Sequence, residues 1–176
     1  MSTEINGDLL DGSWPHIVQQ CNCLTVKPHG LSKQIADKYP YADIYSKRKQ
    51  YLNQNLATED TQGVPGTIVV SSPTTANPTI FHFLSQYEMG PPGKYKRTTT
   101  NIIDNCKNRQ IWFGTCLAEL ENRLLEKYSV KKIAFPDHIG CGLAKGNWEI
   151  YKKMLDDFAT RIKKREINTY IVKLTN

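Results

Sequence analysis

Gly140, Gly142 and Gly146 stand close together between an apolar, β-type run at 131–135 and a helical pattern that begins at Trp148. Glycine lets a backbone turn its N–H groups inward and lets another molecule come close. A strand, a glycine-rich loop and a helix start, in that order, form a place for an anion, because free N–H groups and the helix dipole both favour negative charge. The chemistry indicated by 135–148 is therefore phosphate binding, and the plain alternative is a loop that only turns the chain. Proton transfer has fewer candidates. Histidine can donate or accept a proton near neutral pH, and His29 stands beside Gly30, while His138 follows Asp137. Cys141 lies between two glycines with no basic neighbour in sequence, which favours packing over nucleophilic attack.

The elements that must position these residues follow from periodicity and punctuation. Residues 3–10 read as a strand ending in Gly7-Asp8-Leu9-Leu10, and 16–22 as a second strand. A turn at 26–30 leads to a helix at 31–39, with Leu31, Ile35 and Ala36 along one side, stopped by Pro40. A second helical piece is expected at 42–53, carrying Ile44 and Leu52. Residues 67–71 form a buried-type strand rich in β-branched residues, and 79–85 another, joined by a hairpin link at 73–78. The stretch 86–97 is irregular and cationic, either a mobile flap or a plain surface loop. Between 104 and 128, Ile111, Cys116, Leu117, Leu120, Leu124 and Leu125 recur at helical spacing. Asn147 is a suitable cap for a helix at 148–164 whose core face is Tyr151, Met154, Leu155, Phe158 and Ile162. A strand at 169–174 follows. The fold class is α/β: a three-layer α/β/α sandwich with helices on both faces of a mixed central sheet, one domain over 1–176. Ligands of such sheets sit beyond the carboxyl ends of the strands. Two loops qualify, 22–31 and 136–147, and two anion-friendly helix starts facing one crevice suit a molecule with two phosphates.

Composition narrows the partners. The chain has 176 residues, 39% hydrophobic and 23% charged, ordinary for a globular domain with a proper core. No apolar run reaches membrane-spanning length and the first residues lack a signal-peptide core, so no membrane partner is expected and the expected location is cytoplasmic or nuclear, not secreted. Five scattered cysteines, two of them as Cys21-x-Cys23, indicate neither a disulfide framework nor a zinc site but reduced, mostly buried thiols. The net charge of +6 reads either as solvated lysine or as preference for an anionic partner; the basic groups at 47–49, 94–97 and 163–165 form no single tract that singles out nucleic acid.

An ordered set of motifs resembles a macro domain. Gly7-Asp8-Leu9 resembles the element that ends its first long strand; Gln20-Cys-Asn-Cys23, with Gly30-Leu31 and a helix ending in Tyr39-Pro40, resembles its first ligand loop; Ile133-Ala-Phe-Pro136, Ile139-Gly-Cys-Gly-Leu143 and Trp148-Glu149 resemble its second. Together they cover nearly the whole chain. Within the family the chain is most similar to the branch of the ADP-ribose 1''-phosphate phosphatases and the terminal ADP-ribose protein glycohydrolase. The resemblance implies an ADP-ribose pocket, a monomer, and no metal or other cofactor. Asp8 would accept from the adenine amino group and Leu9 would touch the ring; Ile139, Gly140, Cys141, Gly142 and Leu143 would line the diphosphate, mostly through backbone N–H groups; Pro28, His29, Gly30 and Leu31 would flank the phosphates and distal ribose; Asn22 would face the distal ribose. Departures matter for activity. The first loop has one glycine, and no Asp follows Asn22 before Asp37. Where the glycohydrolases carry a Lys and an Asp, this chain has Gln86 and Ala144, so a covalent lysine route lacks its parts. The resemblance leaves three readings: hydrolysis of ADP-ribose 1''-phosphate assisted by His29, an ADP-ribose reader without turnover, or removal of ADP-ribose from modified protein or nucleic acid.

Overall fold

The computed structural model describes residues 1–95 and 101–175. Strands β1 (Thr3–Asn6), β2 (His16–Asn22), β3 (Ile68–Ser71), β4 (Thr79–Gln86), β5 (Lys132–Pro136) and β6 (Asn168–Lys173) form one sheet in the order β1-β6-β5-β2-β4-β3. Every neighbouring pair is parallel except the β3–β4 hairpin. The helices are α1 (Leu31–Lys38), α2 (Cys106–Glu119), which continues through a π-type stretch at Leu120–Leu124 into α3 (Leu125–Lys127), and α4 (Trp148–Lys163). The mixed sheet with helices on both faces is the fold class read from the sequence.

Alternating strand residues build two cores, because successive side chains of a strand point to opposite faces. Val18, Phe81, Phe83, Ile133, Phe135 and Ile171 pack with α2, α3 and α4. Ile17, Ile80, Ala134 and Val172 pack with Ile35 of α1 and with Leu9, Leu10 and Trp14. In the first core the rings of Tyr151, Phe113, Phe83, Phe135 and Phe158 contact one another in sequence at tilted or edge-on angles, with centroids 4.8 to 6.3 Å apart, the geometry that aromatic quadrupoles favour. The expected face of α4 is buried as read, with Met154 only partly so. Asn147 caps that helix, its Oδ1 accepting from the Glu149 N–H at 3.0 Å.

Four expectations are corrected. The first strand ends at Asn6, before the Gly7-Asp8 turn. Residues 42–53 form no helix: beyond a 3₁₀ turn at Pro40–Ala42, the Asp43 carboxylate accepts from the N–H groups of Tyr45 and Ser46 and offers the backbone an alternative to helical bonding. β3 is an edge strand with Val69 38% exposed, so its β-branched residues do not report full burial. Ile111 points outward from α2, 54% exposed, and the core face of that helix runs instead through Arg109, Phe113, Cys116 and Leu117. Residues 96 and 97, the end of the irregular cationic stretch read at 86–97, lie outside the described residues.

The five cysteines are free thiols, with Cys21, Cys23 and Cys116 buried, and burial pushes Cys21 up to about 11 and Cys116 up to about 12. No helix among the described residues is long and apolar enough to cross a membrane. A buried polar chain crosses the sheet on the α1 side. Ser32 Oγ donates to Gln19 Oε1 at 2.9 Å, Gln19 Nε2 donates to His82 Nδ1 at 2.8 Å, and His82 Nε2 donates to Ser71 Oγ at 2.9 Å. This order leaves Nδ1 of His82 without a proton. Burial first, then the nearby Lys47 and Arg48 charges, lower the His82 pKa to about 3. His16 is shifted in the same direction by burial. The unfolded chain takes up protons that the folded chain refuses, so this contribution to stability is complete above the unfolded value of about 6.5 and is lost as the pH falls toward about 3. Urea unfolding should therefore show a lower midpoint at about pH 4 than at about pH 7. A His82→Gln variant should lose less over the same interval, and an equal acid loss in both proteins removes His82 as its source.

Candidate functional site

The carboxyl ends of β1, β6, β5, β2 and β4 all open at one edge of the sheet. Four strand spacings of about 4.8 Å give that edge a length of about 19 Å. β2 and β5 are direct neighbours, through Ile17 and Ala134. Loops 23–30 and 137–147 therefore leave the sheet side by side, although the helices they feed, α1 and α4, cover opposite faces. Asp8 and Leu9 follow β1 at one end of the edge, and Gln86 closes β4 at the other.

The β5 loop is folded on itself. Ile139 N–H donates to Pro136 O, Cys141 N–H to His138 O, Lys145 N–H to Gly142 O and Gly146 N–H to Gly140 O, all between 2.8 and 3.2 Å. Cys141 N–H is thus turned into the loop. Among the described residues, the N–H groups of Gly140, Gly142 and Leu143 have no protein acceptor. Gly140 has φ +74°, and a Cβ there would lie 2.8 Å from Tyr151 Cε1 and 2.9 Å from Gln20 Oε1, so only glycine fits. A Cβ on Gly142 would meet nothing within 4 Å. Leu143 projects into solvent, while Ile139 and Ala144 are buried. Burial and the Asp137 charge push the Cys141 thiol up to about 11, and its Sγ donates to Ile139 O at 3.4 Å, which makes it a poor nucleophile.

The β2 loop is braced from several sides. Asn22 Oδ1 accepts from the N–H groups of Leu24 and Thr25, and its Nδ2 donates to Thr25 Oγ1, so this side chain shapes its own turn. Tyr45 Oη accepts from Asn22 N–H; Arg48, stacked on the Tyr45 ring, donates to the carbonyls of Asn22 and Thr25; Asn55 Oδ1 accepts from the N–H groups of Val26 and Lys27. After this rigid segment Pro28 is half-buried and His29 and Gly30 are exposed. Gly30, with φ +56° and ψ −130°, enters α1 with no side-chain cap, which leaves first-turn N–H groups open. Leu31 packs against the α1-side core. His29 has no hydrogen-bond partner among the described residues.

The two ends of the edge differ. At the β1 end, one oxygen of the exposed Asp8 carboxylate accepts from Leu10 N–H at 2.8 Å, and Leu9 is buried beside it. His138 lies toward the same end, since its neighbour Asp137 donates its N–H to Val172 O of β6. It is held by Asp137 Oδ2 at 2.8 Å and stacked on Trp148 at 4.8 Å. With Glu4, Asn6 and Lys173 these three residues border a cavity of about 390 Å³. At the β4 end, Ser85 Oγ donates to Gln20 Oε1, Gln20 Nε2 to Gln86 Oε1, and Gln86 Nε2 to the carbonyls of Glu88 and Gly90. Gln86 is an engaged amide, without nucleophilic character. Sequence reasoning assigned no role to the side chains of Gln20, Tyr45, Arg48, Asn55 and Arg109, which place the loops without belonging to them. One signal was available: Arg109 stands four residues before Phe113, on the apolar face of its helix.

No family model and no curated protein matches this sequence. Solved structures do. The macrodomain of Mycobacterium tuberculosis DarG superposes with a TM-score of 0.64 at 19% identity, over 100% of this chain and 99% of that one. The macrodomain of Thermus aquaticus DarG gives 0.62 at 21% identity, over 98% and 97%. A point mutant of the Oceanobacillus iheyensis macrodomain, solved with ADPR, gives 0.55 at 16% identity, over 98% of this chain and 84% of that one. The chain has the macrodomain fold.

Proposed function

We propose that this chain binds ADP-ribose along the carboxyl edge of its sheet, with adenine beside β1 and the distal ribose between β2 and β4. The observation that carries this reading is the pair of loops leaving neighbouring strands β2 and β5: among the described residues the β5 loop has N–H groups without an acceptor at Gly142 and Leu143, and the β2 loop leads into the uncapped first turn of α1. Such groups suit a diphosphate, which offers only acceptors and negative charge. Asp8 supports the orientation: one oxygen is engaged by Leu10, and the other is left for an amino group such as that of adenine. The O. iheyensis macrodomain structure with ADPR supports the ligand class through the shared fold.

A second reading is hydrolysis of ADP-ribose 1''-phosphate, favoured by the position of His29 at the entry to α1, on the side away from Asp8. In that reaction water attacks phosphorus, the bond to the 1'' oxygen breaks, and His29 gives a proton to the departing oxygen while α1 N–H groups hold the phosphoryl oxygens. The products are ADP-ribose and inorganic phosphate. Removal of ADP-ribose from a macromolecule by a covalent lysine intermediate is not favoured, because Gln86 and Ala144 supply neither amine nor carboxylate.

Calorimetry with ADP-ribose should give one saturable site with a dissociation constant well below about 1 mM. Asp8→Ala should weaken binding roughly tenfold or more, the usual cost of losing a charge-assisted hydrogen bond. Absence of binding, or an unchanged Asp8→Ala affinity, contradicts the reading. Gly142→Val should leave the melting temperature nearly unchanged, since open space surrounds the position, yet lower the affinity. Phosphate release from ADP-ribose 1''-phosphate should fall at least about tenfold in His29→Ala; equal rates remove His29, and no release by either protein leaves the reader.

A further inference from the structure

The buried side of the crevice holds a cation that the proposed ligand contacts do not use. Arg109, on α2, is 2% exposed. Its Nε and Nη2 donate to the two oxygens of Asp104, each at 2.6 Å. Nη2 also donates to Glu88 O at 3.1 Å, and Nη1 to Gly90 O at 2.7 Å and Ala144 O at 3.5 Å. These five bonds match the five N–H groups of a guanidinium, so the fork is saturated. Two of the acceptors, Glu88 O and Gly90 O, are also the acceptors of Gln86 Nε2. Gln86 in turn accepts from Gln20, whose Oε1 lies where a Gly140 Cβ would come within 2.9 Å. The contacts close a ring. It passes from β2 through β4 to the segment after β4, then to α2, then to the β5 loop at Ala144, and back through Gly140 to β2.

We propose that Arg109 is the positioning residue for the distal end of the crevice, fixing the gap between the 88–90 segment and the Gly140–Ala144 turn. This rests on the ADP-ribose reading above. The guanidinium lies behind the backbone and acts through two carbonyl-bearing segments. A fork is needed for this: a lysine ammonium has three donors at one point and cannot serve Asp104, the 88–90 carbonyls and Ala144 together. The β1 end, with Asp8 and Leu9, contains no atom of the ring. Arg109 therefore tunes recognition of the second phosphate and distal ribose, and leaves recognition of the adenosine half alone.

The test compares two ligands on intact protein. Arg109→Lys should weaken ADP-ribose binding about tenfold or more, because a loop displaced by about 1 Å loses most of its directed contacts, and should change AMP binding by less than about twofold. Asp104→Asn, which keeps the fork but loosens its anchor, should shift the same ratio in the same direction by less. A purely structural role would lower both affinities together through partial unfolding; parallel loss, or no loss, overturns the proposal. If the variants fail to fold, hydrogen exchange on the wild-type protein decides. The hydrogen-bonded amides of Glu88 and Met89 and those of Cys141, Lys145 and Gly146 should then open in step, with one common denaturant dependence, and independent opening overturns the clamp. A wild-type protein that binds no ADP-ribose counts against the ligand reading, while the exchange result still judges the clamp.

Discussion

The close approach of Gly140 to Gln20 and Tyr151 is the constraint on which the site depends. A backbone with φ +74° and no room for a Cβ lets the β5 loop lie directly on β2 and on the first turn of α4. That contact makes loops from two neighbouring strands into one surface. It also directs the remaining turn outward, where Gly142 and Leu143 keep their N–H groups free of acceptors among the described residues. A side chain at Gly140 would have to push away either the buried Tyr151 ring or the half-buried Gln20 amide that holds Gln86.

Around that contact the loops are held by polar side chains as well as by apolar burial, Cys23 and Leu24 packing with Ile44, Tyr45, Leu84 and Tyr87. Asn22, Asn55, Tyr45 and Arg48 fix the β2 loop, while Gln20, Gln86 and Arg109 fix the β4 and β5 ends. Most of their acceptors and donors are backbone groups that would otherwise need water. This arrangement also accounts for part of the positive charge. Arg48 and Arg109 are internal braces, Lys47 donates to Tyr41 O, and Lys163 and Arg165 donate to Asn168 Oδ1 and Glu121 O. The basic groups seen in sequence at 47–49 and 163–165 are thus largely tied to local structure. Lys33 and Lys153 are each paired within one helical turn to an aspartate.

The sheet and α4 were legible in the sequence because their periodicity and their end signals agree: β-branched or aromatic alternation, an Asn cap, and a five-residue apolar face. The 42–53 stretch was not, because Ile44 and Leu52 mimic helical spacing while the Asp43 side chain bonds the backbone locally. β3 misled for another reason: β-branched residues report a pleated surface, and do not distinguish an edge from a centre. The glycine loop was found from composition alone, yet the inward turn of Cys141 N–H depends on the left-handed His138, which composition does not reveal. Arg109 could have been seen as a charge on an apolar face, but its partners at 88, 90, 104 and 144 come together only in the folded chain.

The central claim is that amides from two adjacent loops jointly face one ligand, and it is most directly tested by following backbone ¹⁵N–¹H signals during titration with ADP-ribose. The account predicts that the largest shifts fall on Gly142 and Leu143, on Leu31 and Ser32 at the start of α1, and on Leu9 and Leu10 beside Asp8, all following a single saturation curve. Shifts confined to the cavity beside His138, Trp148 and Lys173, or present in one loop and absent from the other, would contradict it.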